Sequence, residues 1–258
     1  MKATSKAGEE RVHKLAVRTF IPGKELGKVT LTPFILYKVG VFVAQLTRAL
    51  EDFSHSFFDT FDHIWSLNHF PKVAKGLFAV RDETRRRICE EVLEAFNTEV
   101  IPQKAHFRKG HIHGDLNVEN ILVCETVGQG KSFRVCGLLD FQHSASSYLL
   151  YELVICTAYA MMAVSTEVPR PLIPGYVLAG YSSILQLNKA ERKVFYNLIA
   201  SRMVQSLVYG AYNAYLDPAN EYVLSTAMCG WETLKQFWET PSKDLEKEWG
   251  QIVETYVP

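Results

Sequence analysis

No excess of either charge, no paired-cysteine pattern and no membrane-length apolar run marks this 258-residue chain. Lys plus Arg and Asp plus Glu number 28 each. That balance gives no electrostatic reason to expect nucleic acid or an anionic membrane as partner. The five cysteines (Cys89, Cys124, Cys136, Cys156 and Cys229) are odd in number, scattered, and form no C-x-x-C unit. They argue against a disulfide scaffold. Cys124, Cys136 and Cys156 sit among apolar neighbours and read as small buried residues of a reducing compartment. The longest apolar run, Tyr148 to Val164, contains Glu152 and falls short of the ~20 residues of a membrane span. It reads as a buried helix. Met1 to Arg11 is polar, has no apolar signal core, and reads as a disordered lead-in. No internal repeat, low-complexity tract or clean boundary divides residues 12–258, so one domain is expected. The expectation is a soluble cytoplasmic protein, with no prediction of oligomeric state.

What the chain does have is 48% hydrophobic residues, enough for one large core. His13 to Ile21 alternates like a strand until Pro22-Gly23 breaks it. Thr32-Pro33 is a cap followed by proline, opening a helix with Ile35, Leu36, Val39, Val43, Leu46 and Leu50 at helical spacing. The stretch from Phe53 to Phe70 is rich in aromatics and histidines and reads as irregular or short-helical. Glu83 to Val100 reads as a helix whose Arg85-Arg86-Arg87 run forms a solvated face. Ile121 to Cys124 and Phe133 to Leu139 read as a hairpin-like pair across Gly128-Gln129-Gly130-Lys131. Helices follow. The first spans Tyr148 to Val164, and the second starts at the Asn188/Glu191 capping box and runs to about Tyr215. Two more open at Asp217-Pro218 and Thr240-Pro241. The fold class is therefore α+β and mostly helical, without the strand–helix alternation of a doubly wound sheet.

The chemistry concentrates in His113-Gly114-Asp115-Leu116-Asn117-Val118-Glu119-Asn120. A carboxylate and a carboxamide stand five residues apart in a polar loop between apolar segments. A second carboxylate, Asp140, ends the run Val135 to Leu139. A hydroxyl is a weak nucleophile at neutral pH, and Asp115 could orient it and accept its proton. Asn120 and Asp140 offer hard oxygen ligands of the kind magnesium prefers. His113 reads as a brace for the loop. Taken singly, each residue has a plain structural reading as turn, cap or strand end. It is their joint spacing that points to phosphoryl transfer.

Those residues carry a resemblance. His113-Gly114-Asp115-Leu116-Asn117 with Asn120, then Leu138-Leu139-Asp140-Phe141, is similar to the aminoglycoside phosphotransferase and choline kinase superfamily, and within it to the hydroxylysine kinase branch. Further similarity runs through Phe20-Ile21-Pro22-Gly23, Val177 to Tyr181, Ser201-Arg202 and Gln205 to Val208. The resemblance implies a protein-kinase-like C-terminal lobe whose small hairpin carries the active-site motif. It implies Asp115 as catalytic base and Asn120 and Asp140 as Mg2+ ligands. Thr19, Phe20 and Ile21 would be the hinge that holds a purine. The implied donor is GTP or ATP, and the implied acceptor is 5-hydroxylysine or a similar amino alcohol. Two departures qualify it. Too few residues precede Val12 for an amino-terminal lobe with its phosphate-gripping lysine, so the chain alone is expected to be weakly active or inactive. Gln142-His143 stands where the branch tends to have Gly-Asp, which weakens metal or substrate contacts.

Two rivals remain at this stage. His111-Ile112-His113-Gly114-Asp115 reads as H-x-H-x-D, the start of a zinc motif, but Leu116 stands where a further histidine is needed. A non-catalytic module that binds a small molecule or a protein is the other. For a cationic substrate group, Glu152, Tyr209, Tyr212 and Trp231 are candidate contacts.

Overall fold

The computed structural model describes residues 2–4, 10–12, 17, 19–126, 133–217 and 227–256. In chain order these form β1 (Lys2–Thr4), β2 (Glu10–Val12), β3 (Lys24–Glu25), α1 (Pro33–Ala49), α2 (Ser56–Thr60), α3 (Glu83–Ala95) and β4 (Lys109–Ile112). They continue with β5 (Ile121–Glu125), β6 (Phe133–Leu138), β7 (Ala145–Tyr148), α4 (Leu149–Met162), α5 (Ile173–Ser182), α6 (Lys189–Leu216), α7 (Ala227–Glu239) and α8 (Ser242–Tyr256). The strands make three small antiparallel sheets, β1-β2, β3-β5-β6 and β4-β7. The fold is α+β and mostly helical, as the sequence pattern implies.

The helix signals act as their chemistry requires. The Thr32 hydroxyl accepts from Ile35 N at 3.3 Å, and Pro33 opens α1. Ile35, Leu36, Val39 and Val43 face the core. Asn188 and Glu191 make the reciprocal capping box of α6, which satisfies amide hydrogens that a helix start leaves unpaired. α6 is buried from Val194 to Tyr209 and forms the axis against which α3, α4 and α7 pack. Glu191 does more than cap. Its fully buried carboxylate accepts Arg108 Nε at 3.0 and 3.1 Å, Arg108 Nη2 at 2.7 Å and the Arg108 amide at 3.0 Å. This paired fork fixes the head of α6 to the strand that leads into the candidate site. Where α1 crosses α5 the backbones touch. A Cβ on Gly40 would lie 2.0 Å from Val177 O, and one on Gly180 would lie 1.9 Å from Tyr37 O.

Several expectations change. Lys2–Thr4 pairs with Glu10–Val12, so five residues of the expected disordered lead-in, Lys2 to Thr4, Glu10 and Arg11, are paired. The strand expected over His13 to Ile21 lies partly outside the described residues. Thr19 to Ile21 belong to no strand, and pairing begins at Lys24. The helix expected to reach Val100 ends as α at Ala95 and continues as a single wider turn, Phe96–Val100. The β4-β7 pair falls where the sequence reading placed no strands, because four residues such as Ala145–Tyr148 carry too short a pattern to mark one. The turn at Gly128 to Lys131 and the Pro218 helix start lie outside the described residues. Cys124 and Cys136 are also corrected, since they form a disulfide joining β5 to β6. Spacing could not reveal it. The cysteines meet because the hairpin folds back, with a register shift at Leu122/Val123. Cys156 is buried and free, as expected, and Cys89 is buried and free as well. Among the described residues no helix is long and apolar enough to cross a membrane.

Candidate active site

The loop between β4 and β5 is shaped by its own side chains. Gly114 has φ +80, and a Cβ there would lie 2.3 Å from His143 O. Only glycine tolerates that backbone and that contact. Asn117 Oδ1 accepts Glu119 N at 2.8 Å and Asn120 N at 3.0 Å, curling the loop. From beneath, Glu152 of α4 accepts the amides of His113 and Gly114, the latter at 3.3 Å. Glu152 is 1% exposed. Burial pushes its carboxyl up to about 7, against the pull of the two N–H donors. Its position on α4 therefore serves the loop, which removes it from the candidate substrate contacts. Glu152→Gln offers one acceptor oxygen to two buried amides. It is expected to cost about 1–3 kcal/mol, read as a lower urea midpoint with an unchanged slope.

His113 is fully buried. Its Nε2 donates to Leu139 O at 2.8 Å, while Nδ1 accepts Asp115 N at 3.3 Å. Burial lowers its pKa, consistent with one neutral tautomer satisfying both partners. The expected bracing role matches this geometry. Leu139 N also donates to Asn120 O at 2.9 Å. Two bonds at Leu139 thus hold the Asp140 segment against the His113–Asn120 loop. Asp140 itself has φ 57 and accepts Gln142 N at 3.2 Å.

Asp115 sits at the centre. Asn117 Nδ2 donates to Oδ1 at 3.1 Å, and Asn120 Nδ2 to Oδ2 at 3.2 Å and to the backbone oxygen at 2.9 Å. His143 Nδ1 lies 3.5 Å from Oδ2, and Arg202 Nη2 lies 3.7 Å from Oδ1. Both distances are ionic contacts rather than well-formed hydrogen bonds. Burial would raise this carboxyl, yet His143, Arg202 and Asn117 outweigh it and hold it below the ordinary carboxylate value. In return Asp115 raises His143, against partial burial. His63 stacks on His143 with centroids 4.7 Å apart. Asp115, Asn117, Trp65, His143 and Arg202 share a cavity of about 520 Å³.

Asn120 thus touches Asp115 directly, Asp140 is tied in only through its neighbour Leu139, and neither Asn120 nor Asp140 lines the cavity. Thr19, Phe20 and Ile21 lie elsewhere. Phe20 is 85% exposed, Ile21 packs beside Gly137 of β6, and none of the three lines the cavity. The other aromatic candidates have structural occupations. Tyr209 packs on Trp65, Tyr212 on Phe78, and Trp231 under Arg85. His111 packs edge-on against Phe53 and Phe58. Among the described residues no group of three or more His, Cys, Asp or Glu is placed to hold a metal, so the H-x-H-x-D reading gains no support. Sequence reasoning passed over Arg202 as a site residue. Its signal was one arginine inside the otherwise neutral run Val194 to Tyr209 of a buried helix.

Comparison with known proteins places the chain in a family. The model of the phosphotransferase enzyme family matches residues 3–186. Hydroxylysine kinase of Bos taurus is 33% identical over 254 residues, covering 96% of this chain and 67% of the relative. Hydroxylysine kinase of Mus musculus is 36% identical over 246 residues, covering 92% and 64%. The chain thus spans about two thirds of the length of these relatives. Among solved structures, the GDP complex of wild-type aminoglycoside 2'-phosphotransferase-IIIa superposes with a TM-score of 0.54 at 16% identity, covering 92% of this chain and 73% of that one. That likeness is one of fold, the protein-kinase-like class the sequence suggested. The chain belongs to the phosphotransferase enzyme family.

Proposed function

We propose that this chain carries the acceptor and metal side of a small-molecule kinase. The reaction moves the γ-phosphate of GTP or ATP to the hydroxyl of 5-hydroxylysine or a similar amino alcohol. The observation that carries the reading is the Asp115 carboxylate, held below its ordinary pKa and facing a cavity of about 520 Å³. An ionised base at that position can orient an incoming hydroxyl and take its proton. The hydroxyl oxygen bonds to phosphorus as the bond to the nucleoside diphosphate breaks. Glu119 and Glu25, the latter ion-paired with Lys28, also line the cavity. The two hydroxylysine kinase relatives support the choice of acceptor.

Asn120 and Asp140 are the residues that would hold Mg2+. They fit by chemistry, since both present hard oxygens and Asn120 commits its NH2 to Asp115, leaving its carbonyl oxygen for a cation. Bound there, the metal would neutralise phosphate charge. Thr19 to Ile21 would meet the purine through backbone groups. The test is transfer of labelled γ-phosphate from GTP or ATP to 5-hydroxylysine with Mg2+, beside Asp115→Asn as blank. Product above the blank supports the reading. No product, together with no Mg2+-dependent stabilisation by either nucleotide in thermal unfolding, overturns it in favour of a non-catalytic binding module.

A further inference from the structure

Arg202 brings a charge into the cavity that the Asp115 loop does not fully use. It is 1% exposed in the middle of α6. Nη1 donates to Trp65 O at 2.7 Å and to Gln205 Oε1 at 2.9 Å. The guanidinium lies over the rings of Trp65 and Tyr159, 5.6 and 5.3 Å from their centroids. Nη2 reaches Tyr159 Oη at 3.5 Å and stands 3.7 Å from Asp115 Oδ1. Nε is buried and has no hydrogen-bond partner among the described residues.

A buried cation requires compensation by charge and by hydrogen bonds. Here the cage is neutral, and its one carboxylate, Asp115, is already shared with His143, Asn117 and Asn120. The planar guanidinium fork is built to hold a carboxylate or phosphate with paired bonds. We infer that Arg202 binds the carboxylate of the acceptor, so that the site selects hydroxy amino acids over amino alcohols lacking the acid. The inference rests on the reading of Asp115 as the group that faces the acceptor hydroxyl. Because the guanidinium sits beside Asp115, a short flexible carbon chain can present its hydroxyl to one and its acid to the other. The same fork could meet the transferred phosphate instead, and the experiment separates the two.

The test reads binding, which does not depend on turnover. Titration calorimetry compares 5-hydroxylysine with its decarboxylated analogue, 1,5-diaminopentan-2-ol, on the unaltered chain and on Arg202→Met and Arg202→Lys. The unaltered chain is expected to prefer 5-hydroxylysine about ten- to a hundredfold, the worth of a charge-assisted contact. Arg202→Met is expected to lose that preference. Arg202→Lys keeps the charge without the fork and is expected to retain part of it, and it serves as the reporter if the methionine variant does not fold. Equal binding of the two acceptors by the unaltered chain overturns the proposal. So does a preference that survives both substitutions, or substitutions that weaken GTP or ATP binding and leave the acceptor preference intact. Absence of phosphoryl transfer with the carboxylate preference present would count against the kinase reading and leave this one standing.

Discussion

Asp115→Asn is expected to lower phosphoryl transfer about 10²–10⁴-fold, the usual contribution of a positioned general base. Asparagine keeps the shape and can still accept from one amide donor, but it cannot take the hydroxyl proton. The loss should therefore appear in kcat, with nucleotide affinity little changed. A second readout belongs to the charge rather than to the chemistry. Asp115 raises the pKa of His143 above the ordinary 6.5. In the variant, the His143 titration followed by NMR should move down toward or below that value. The stability signs follow from the same pair. Asp115 is held below 3.8 in the fold, so its stabilisation is present above that value and lost as pH falls through the lower folded one. His143 is raised, so its share is present below 6.5 and lost as pH rises through its folded value. The interaction is thus widest at mildly acid pH, and Asp115→Asn should flatten both limbs of the urea stability profile. Unchanged turnover together with an unmoved His143 titration would remove Asp115 from the proposed role.

How far the sequence revealed this site depends on which interactions hold it. The His113–Asn120 loop was legible because its chemistry is local. The side chains of Asn117 and Asn120 bond within the loop, so short spacing encodes the geometry. The α1 and α6 starts were legible for the same reason, since a cap reads its own next three residues. Glu152 was legible as an interruption in an apolar run, but its role was not. Its partners lie 38 and 39 residues away, and nothing in the run says that the carboxylate turns toward a loop backbone rather than a ligand. Arg202 and His143 meet Asp115 only through the packing of α6 and of the Asp140 segment. The Cys124–Cys136 bond depends on hairpin register. Long-range pairing of this kind is fixed by tertiary contact, and periodicity within a window carries no trace of it.

The largest effect expected on stability comes from filling the α1–α5 crossing. A Cβ on Gly40 meets Val177 O at 2.0 Å, Tyr181 N at 2.8 Å and Val177 C at 2.9 Å. All three atoms are backbone, so no side chain can swing aside, and ordinary contact requires the helices to part by more than an ångström. Overpacking commonly costs 1–3 kcal/mol and occasionally more. With both helices rigid and the clash this deep, Gly40→Ala is expected to cost about 3 kcal/mol or more. That corresponds to a fall in Tm of roughly 6–12 °C for a chain of this size. Gly180→Ala, 1.9 Å from Tyr37 O, should cost a similar amount. The pair should fall short of additive, because once the helices have separated for one methyl the second finds room. Gly250 on α8 provides the contrast, since a Cβ there meets nothing within 4 Å. In an open helical position alanine is favoured over glycine by about 0.8–1.0 kcal/mol, so Gly250→Ala should raise Tm slightly. The two substitutions add the same methyl group to the same kind of helix and differ only in what it touches. Opposite signs in thermal unfolding would identify backbone contact at the crossing as the cause, whereas a shared sign would mean that helix propensity or α1–α5 relaxation governs both.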